Sequence, residues 1–385
     1  MANVIKLHKG LDIRLQGKAA YERISLKSNG HYALVPDDFT GVVPKVVVKE
    51  GDKVKAGDAL FVNKHYPEVK FASPVSGTVR EVLRGERRKV LCVKVDADGK
   101  QEYVDFGAKD VGKMNAEQVI NSLLEAGLFG YIDQLPYAVS TNPSVMPKAI
   151  FVSALRDKPL AADFEFEVKG QEQDFVTGIK ALSKIAKTYI GLGIQPELQT
   201  AIRQLGIDEC AELNIFDGPC PAGNVGVQVN NVDPINKGEV VWTIGDPTAV
   251  LFFGRLFNTG KVNLTRTIAL CGSEVKRPAY ADMLVGQDLS TLLANSYETS
   301  RNVRIINGNV LTGRPTTKEG FLGAHSSEIT VIPEGSDADE MLGWIMPRLK
   351  QFSVNRSYFS WLQNPWFCSK KKEYVADARI KGGER

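Results

Sequence analysis

The sequence predicts a multidomain protein of mixed α/β and α+β class, and three stretches carry that prediction. Residues 42–95 alternate short Val-rich runs with Gly-Asp and Ser-Gly punctuation, the mark of short, closely turned strands. Residues 149–258 alternate strand-like apolar runs with helical periodicity, which implies a parallel sheet with crossover helices. Residues 262–270 place Val262, Leu264, Ile268 and Leu270 on one face, and a strand-turn-strand pattern follows at 303–313. Length agrees: 385 residues make two to three domains at about 150 residues each.

Composition narrows the function. Lys and Arg number 48 against 45 Asp and Glu, a net charge of +3, too balanced for a nucleic-acid binder on charge alone. Apolar runs at 149–155 and 249–254 fall far short of the roughly 20 residues that span a bilayer. The N-terminus lacks an apolar core followed by a small-residue cleavage site, so no secretory signal is expected. Five scattered cysteines and four scattered histidines form neither C-x-x-C nor zinc spacing, so reduced thiols and no metal or iron–sulfur site are expected. No dinucleotide or phosphate-loop motif and no nucleophile elbow is present, which leaves the chain without a catalytic residue or a cofactor of its own.

The elements follow in order. Residues 1–33 read as an N-terminal β segment. Residues 34–105 read as a compact β domain, with turns at Gly51-Asp52 and Gly57-Asp58. Its pattern V-x-x-G-D-x-V-x-x-G-x-x-L, then S-P-x-x-G-x-V, resembles the barrel-sandwich hybrid of biotinyl and lipoyl domains. Those carriers hold their cofactor on a hairpin lysine; the nearest here is Lys64, but Asn63 and His65 beside it match neither carrier tip, so it reads as a surface lysine. Residues 106–148 read as a helical linker, with Asn115 capping a helix through Val119, Ile120, Leu123 and Leu124.

In the α/β region, 149–154, 188–193 and 212–216 read as buried strands. Helices lie between them over 178–187 and, opened by Pro196, through Leu205. The third strand runs into the loop 217–224, where open α/β sheets place ligands. Residues 259–330 read as a small α+β unit with a short helix at 289–294. From 331 to 385 the chain is aromatic and basic: no acidic residue lies between Glu340 and Glu373.

Four segments together resemble one family, the A subunits of the sodium-translocating NADH:quinone reductases. They are SPVSGTV (73–79), FDGPCPAG (216–223), RIINGNVLTG (304–313) and GWIMPRLKQFSVNRS (343–357). The resemblance implies a biotinyl/lipoyl-like barrel-sandwich domain, a Rossmann-like α/β domain over 149–258, a ubiquitin-like (SLBB-type β-grasp) domain and a C-terminal helical segment. It also implies a helical tail beyond residue 385, so that 331–385 would be a truncated part. Its relatives in complex I and the Rnf complex cradle a flavin phosphate on a loop resembling G-x-G-G-A-G-F-P. The aligned stretch, 127–137, puts Leu128, Phe129, Tyr131, Ile132 and Leu135 where glycines would be needed, and adds Asp133. Fold kept and cofactor site lost is the expectation.

By that resemblance the chain is expected to be a peripheral subunit on the cytoplasmic side of the bacterial inner membrane. It would contribute to quinone reduction and assembly in a complex that exports Na+ and uses NADH, the flavins FAD, FMN and riboflavin, iron–sulfur and quinone. Its partners would be the other subunits, integral membrane ones included, with quinone, a peripheral membrane contact and no nucleic acid. The isolated chain would have no activity. The alternative is a free-standing lipoyl- or biotin-type carrier or a flavin-dependent NADH dehydrogenase. Candidate quinone or partner contacts are Phe216, Asp217, Gly218, Pro219, Pro221, Ala222 and Gly223; a rigid turn would use the same residues. Candidate docking residues toward the membrane subunits are Arg348, Lys350, Arg356, Trp361, Trp366, Lys370, Lys371 and Lys372, since basic and aromatic side chains suit headgroup-level or protein contact. A helical core with solvated basic residues is the other reading of that segment.

Overall fold

A computed structural model describes residues 3–335, except 299 and 301, together with 347, 349, 359 and 373–375. The chain builds sheets of seven, six, four and three strands among these residues.

The two smaller sheets face each other in the β domain. His31–Leu34, Val90–Ala97, Gly77–Arg84 and Lys53–Val54 form one; Pro44–Val46, Ala59–Asn63 and Lys70–Ala72 form the other. Leu60, Phe61, Phe71, Val79, Val93 and Val95 fill the space between them. The two Gly-Asp turns share one construction. Gly51 and Gly57 take φ of 87° and 104°, and each following aspartate accepts the N–H three residues back, Lys49 to Asp52 and Lys55 to Asp58, both at 2.7 Å. Glycine supplies the left-handed backbone and aspartate closes the turn.

The seven-stranded sheet runs Asn3–Lys6, Glu212–Asp217, Thr188–Leu192, Ile150–Ser153, Val241–Ile244, Asp133–Leu135, Val139–Ser140. The first five strands are mutually parallel. Chain order therefore moves outward from Ile150–Ser153 through the next two strands, then returns to its other side at Val241–Ile244. Helix Ala116–Glu125 starts on the expected cap, Asn115, whose side chain forms a reciprocal capping box with Gln118. Helices Glu172–Ile185 and Thr248–Thr259 cross closely, because a Cβ on Gly178 would meet Val250 O at 2.2 Å and one on Gly254 would meet Asp174 O at 1.7 Å.

The strand at 241–244 and the helix at 248–259 have no counterpart in the sequence reading. Both are buried on every side: Trp242, Ala249, Val250, Phe252 and Phe253 have no exposure. An element buried all round has no polar face, so periodicity gives no signal.

The six-stranded sheet is ordered Arg314–Thr316, Val303–Asn307, Glu328–Pro333, Thr265–Cys271, Ala279–Leu284, Arg23–Ile24, with the short helix Ser290–Leu293 on its core of Ile268, Leu270, Met283, Leu292 and Ile329. The expected N-terminal β segment is shared out: Asn3–Lys6 joins the α/β sheet, Arg23–Ile24 the six-stranded sheet, and His31–Leu34 the β domain. Between them the chain crosses over Cys220, whose carbonyl accepts Leu11 N–H at 2.8 Å, and pairs Leu15 with Tyr374.

Candidate functional site

A cavity of about 360 Å³ opens at the carboxyl edge of the parallel sheet. Its floor follows the two strands where the chain order reverses: residues 155–158 after Ile150–Ser153, and Gly245 and Asp246 after Val241–Ile244. A crevice at such a switch point is where open α/β sheets bind ligands. The six-stranded unit closes it from above with residues 307–309, 312–314 and 325–328, and the β domain adds Asp38.

Under the cavity lies a buried ionic cluster. Asp246 bridges two arginines, Oδ1 to Arg156 at 2.7 Å and Oδ2 to Arg266 at 3.0 Å. Arg156 also pairs with Glu167 at 2.5 Å and donates to Thr248 Oγ1 at 2.8 Å. Arg266, fully buried, donates to the Ala324 carbonyl at 2.7 Å. The cluster ties the α/β sheet to the six-stranded unit, because Arg266 stands on Thr265–Cys271.

The two carboxyls of this cluster titrate far apart. Burial pushes Glu167 up to about 7 against the pull of Arg156 and Arg266. Burial also opposes the charge of Asp246, but Arg266 and Arg156 outweigh it and bring the group down to about 2. His325 lines the cavity between the rings of Phe39 and Tyr131, each centroid 5.3 Å away. Burial, aided by Arg266 and opposed by Asp246, lowers it to about 4. Its imidazole is therefore neutral at physiological pH.

Of the candidate contacts between Phe216 and Gly223, only Gly223 reaches the cavity wall. Its N–H donates to Asp157 Oδ2 at 2.7 Å, its carbonyl accepts Ser153 Oγ at 2.8 Å, and a Cβ there would meet Leu155 O at 2.4 Å. Phe216 and Ala222 are core residues. The Asp217 carbonyl accepts Leu7 N–H at 2.8 Å, and a Cβ on Gly218 would meet Leu7 O at 2.5 Å. Pro219 closes a turn by accepting Ala222 N–H at 3.0 Å, and Pro221 is exposed. Sequence reasoning missed Arg156, Glu167, Asp246, Arg266, His325 and Glu328. The one usable signal is Gly245-Asp246-Pro247 after VVWTI, a strand-to-helix turn.

Residues 127–132 of the stretch aligned with a flavin loop are packed core, while Pro136 and Tyr137 at its end are exposed. Leu128, Phe129 and Ile132 have no exposure, Phe129 stands edge-on to Trp242 at 5.4 Å, and a Cβ on Gly130 would lie 2.3 Å from the Phe71 ring. Tyr131 packs on His325 and Phe252. Leu135 pairs with Val241, and burial raises Asp133 to about 6. Lys64 is exposed in the connection after Ala59–Asn63. The eight candidate docking residues from Arg348 to Lys372 lie outside the described residues. Among the described residues no three His, Cys, Asp or Glu are grouped to hold a metal, and no helix is long and apolar enough to cross a membrane.

Comparison with known proteins gives the chain its place. Models of one family match in sequence: the NqrA N-terminal barrel-sandwich hybrid domain over residues 5–98, the NqrA second alpha/beta domain over 114–262 and the NQRA C-terminal domain over 267–318. The A subunit of the Na(+)-translocating NADH-quinone reductase of Yersinia pestis bv. Antiqua (strain Angola) is 31% identical over 99% of this chain and 83% of that protein. Its counterparts in Serratia proteamaculans (strain 568) and Actinobacillus pleuropneumoniae serotype 5b (strain L20) are each 32% identical over 99% of this chain and 84% of theirs. With three domains matched in order and relatives aligned over 99% of this chain, the chain belongs to the NqrA family, the A subunits of Na(+)-translocating NADH-quinone reductases.

Proposed function

We propose that this chain serves as a peripheral subunit of a sodium-translocating NADH:quinone reductase on the cytoplasmic side of the bacterial inner membrane. There it contributes to quinone reduction and to assembly of the complex that exports Na+. The observation that carries the proposal is alignment with such subunits over 99% of the chain. NADH, flavin and iron–sulfur chemistry would lie on the other subunits; in this chain, Phe129 and Tyr131 are packed into the core within the stretch aligned with a flavin loop.

The quinone head would meet this chain at the switch-point cavity, with Gly223 as the member of the 216–223 loop that touches it. Support comes from the position of the cavity at the strand-order reversal and from a volume suited to one small ring system. Residues 341–372 would dock on the integral membrane subunits and the lipid headgroups, as their basic and aromatic composition suggests.

Reconstitution tests the proposal. The complex assembled without this chain should lose NADH-dependent quinone reduction, keep NADH oxidation by a small soluble electron acceptor, and recover when the chain is added. Undiminished quinone reduction without it would overturn the proposal. Reversing Lys370, Lys371 and Lys372 to Glu should reduce co-purification with the membrane subunits, while reversing Lys45, Lys53 and Lys55 should not.

A further inference from the structure

We infer that the switch-point cavity binds the hydroquinone form of the head group in preference to the quinone. The inference rests on the proposal above and specifies which redox state the same cavity holds.

Of the charged donors on the wall, the two arginines are engaged with protein. Arg156 is spent on Glu167, Asp246 and Thr248. Arg314 donates to the Asp37 carbonyl at 2.7 Å and pairs with Asp38. Lys158 is exposed and gives Thr312 Oγ1 one bond of 3.3 Å; its remaining N–H groups serve either redox form, since quinone and hydroquinone oxygens both accept. The acceptors are not all used. Glu328 is 3% exposed and lines the cavity. Its Oε2 accepts the Ser327 hydroxyl at 2.5 Å and Ala162 N–H at 3.4 Å. Among the described residues Oε1 accepts no hydrogen bond, nor does either ring nitrogen of His325 make one. Glu328 thus lines the cavity with acceptor capacity to spare.

The two redox forms differ in what they offer these groups. A quinone presents carbonyl oxygens only, and against Glu328 it sets acceptor against acceptor. A hydroquinone presents two O–H donors, one of which suits Glu328. The imidazole of His325 carries one donor and one acceptor nitrogen and serves either form, so the choice falls on Glu328. One hydrogen bond separates the two forms by about tenfold in dissociation constant.

The test uses the full chain under anaerobic conditions with a water-soluble, fully substituted benzoquinone and its hydroquinone, a ring with no position open to thiol addition. Calorimetric titration should find the hydroquinone bound about tenfold more tightly. Gly245→Leu fills the cavity, since nothing lies within 4 Å of a Cβ at that residue, and should abolish binding of both forms. Glu328→Gln gives the same position a donor as well as an acceptor and should erase or reverse the preference. Equal binding, preference for the quinone, binding of neither form by the unaltered chain, a preference that survives Glu328→Gln, or binding unaffected by Gly245→Leu would overturn the inference. If reconstituted complexes meanwhile still need the chain for quinone reduction, only the redox preference falls and the functional proposal stands.

Discussion

After strand Glu212–Asp217 the chain enters a Gly- and Pro-rich loop; after strand Val241–Ile244, at the same edge of the same sheet, it turns through Gly245-Asp246-Pro247. The first turn is stitched to its surroundings by backbone: Leu7 N–H reaches Asp217 O, Leu11 N–H reaches Cys220 O, and Asp12 accepts Cys220 N–H. Its glycines are needed for close approach of neighbouring chain. The second turn leaves space above Gly245 and sits over two buried arginines. Gly and Pro therefore mark tight backbone in both places, and only strand order makes one of them the rim of a cavity.

The largest expected effect is at the second turn. Asp246→Ala leaves Arg156 and Arg266 buried without their shared partner, and should cost about 3–5 kcal/mol of stability. Thermal unfolding measures it, and a loss under about 1 kcal/mol would mean that Glu167 alone compensates both arginines. At the first turn the expected damage is steric. Gly10 has φ of 147° and a Cβ there would lie 2.2 Å from Cys220 O, so Gly10→Ala should destabilise by about 1–3 kcal/mol. Ligand titration should remain unchanged, because the strain falls on the stitched loop and not on the cavity. Altered affinity would join the two turns into one site.

A pH dependence separates them further. His325 is lowered from 6.5 to about 4 in the folded chain. Between those values the unfolded state binds more protons, so stability rises with pH across this window and is lost as pH falls through it. Glu167 acts in the opposite sense: raised from 4.5 to about 7, it makes the fold lose stability as pH climbs between those values. Between pH 4.5 and 6.5 the two offset each other, so His325→Asn should expose the Glu167 slope, with melting temperature falling as pH climbs from 4.5 to about 7. An unchanged profile would remove the histidine from the buried cluster's account. The smallest effect is expected at Lys64, which is exposed and lines neither turn. Lys64→Ala should shift stability by no more than about 0.5 kcal/mol, and the intact chain should show no lipoyl or biotinyl mass on this residue.

Local chemistry was legible in the sequence wherever an element has two unlike faces or a turn with its own logic. Asn115 caps its helix as expected, the Gly-Asp pairs at 51–52 and 57–58 close as turns, and the strands at 150–153, 188–192 and 212–217 coincide with the apolar runs that announced them to within a residue. Each of these depends on residues a few positions apart, which interact whatever the remainder of the chain does. The strand at 241–244, the helix at 248–259 and the cavity they frame depend on something else. Trp242 and Phe252 are enclosed on all sides, so their segment shows no alternation to read. Arg156, Glu167, Asp246 and Arg266 are scattered along the chain with no spacing in common. Burial turns them from ordinary surface-type charges into a paired cluster under a polar cavity, and burial is set by which strand the chain lays beside Ile150–Ser153. Turns, caps and amphipathic elements thus follow from neighbouring residues alone. Strand order, and with it the site, arises in tertiary packing, where charges distant along the chain meet in a low-dielectric interior.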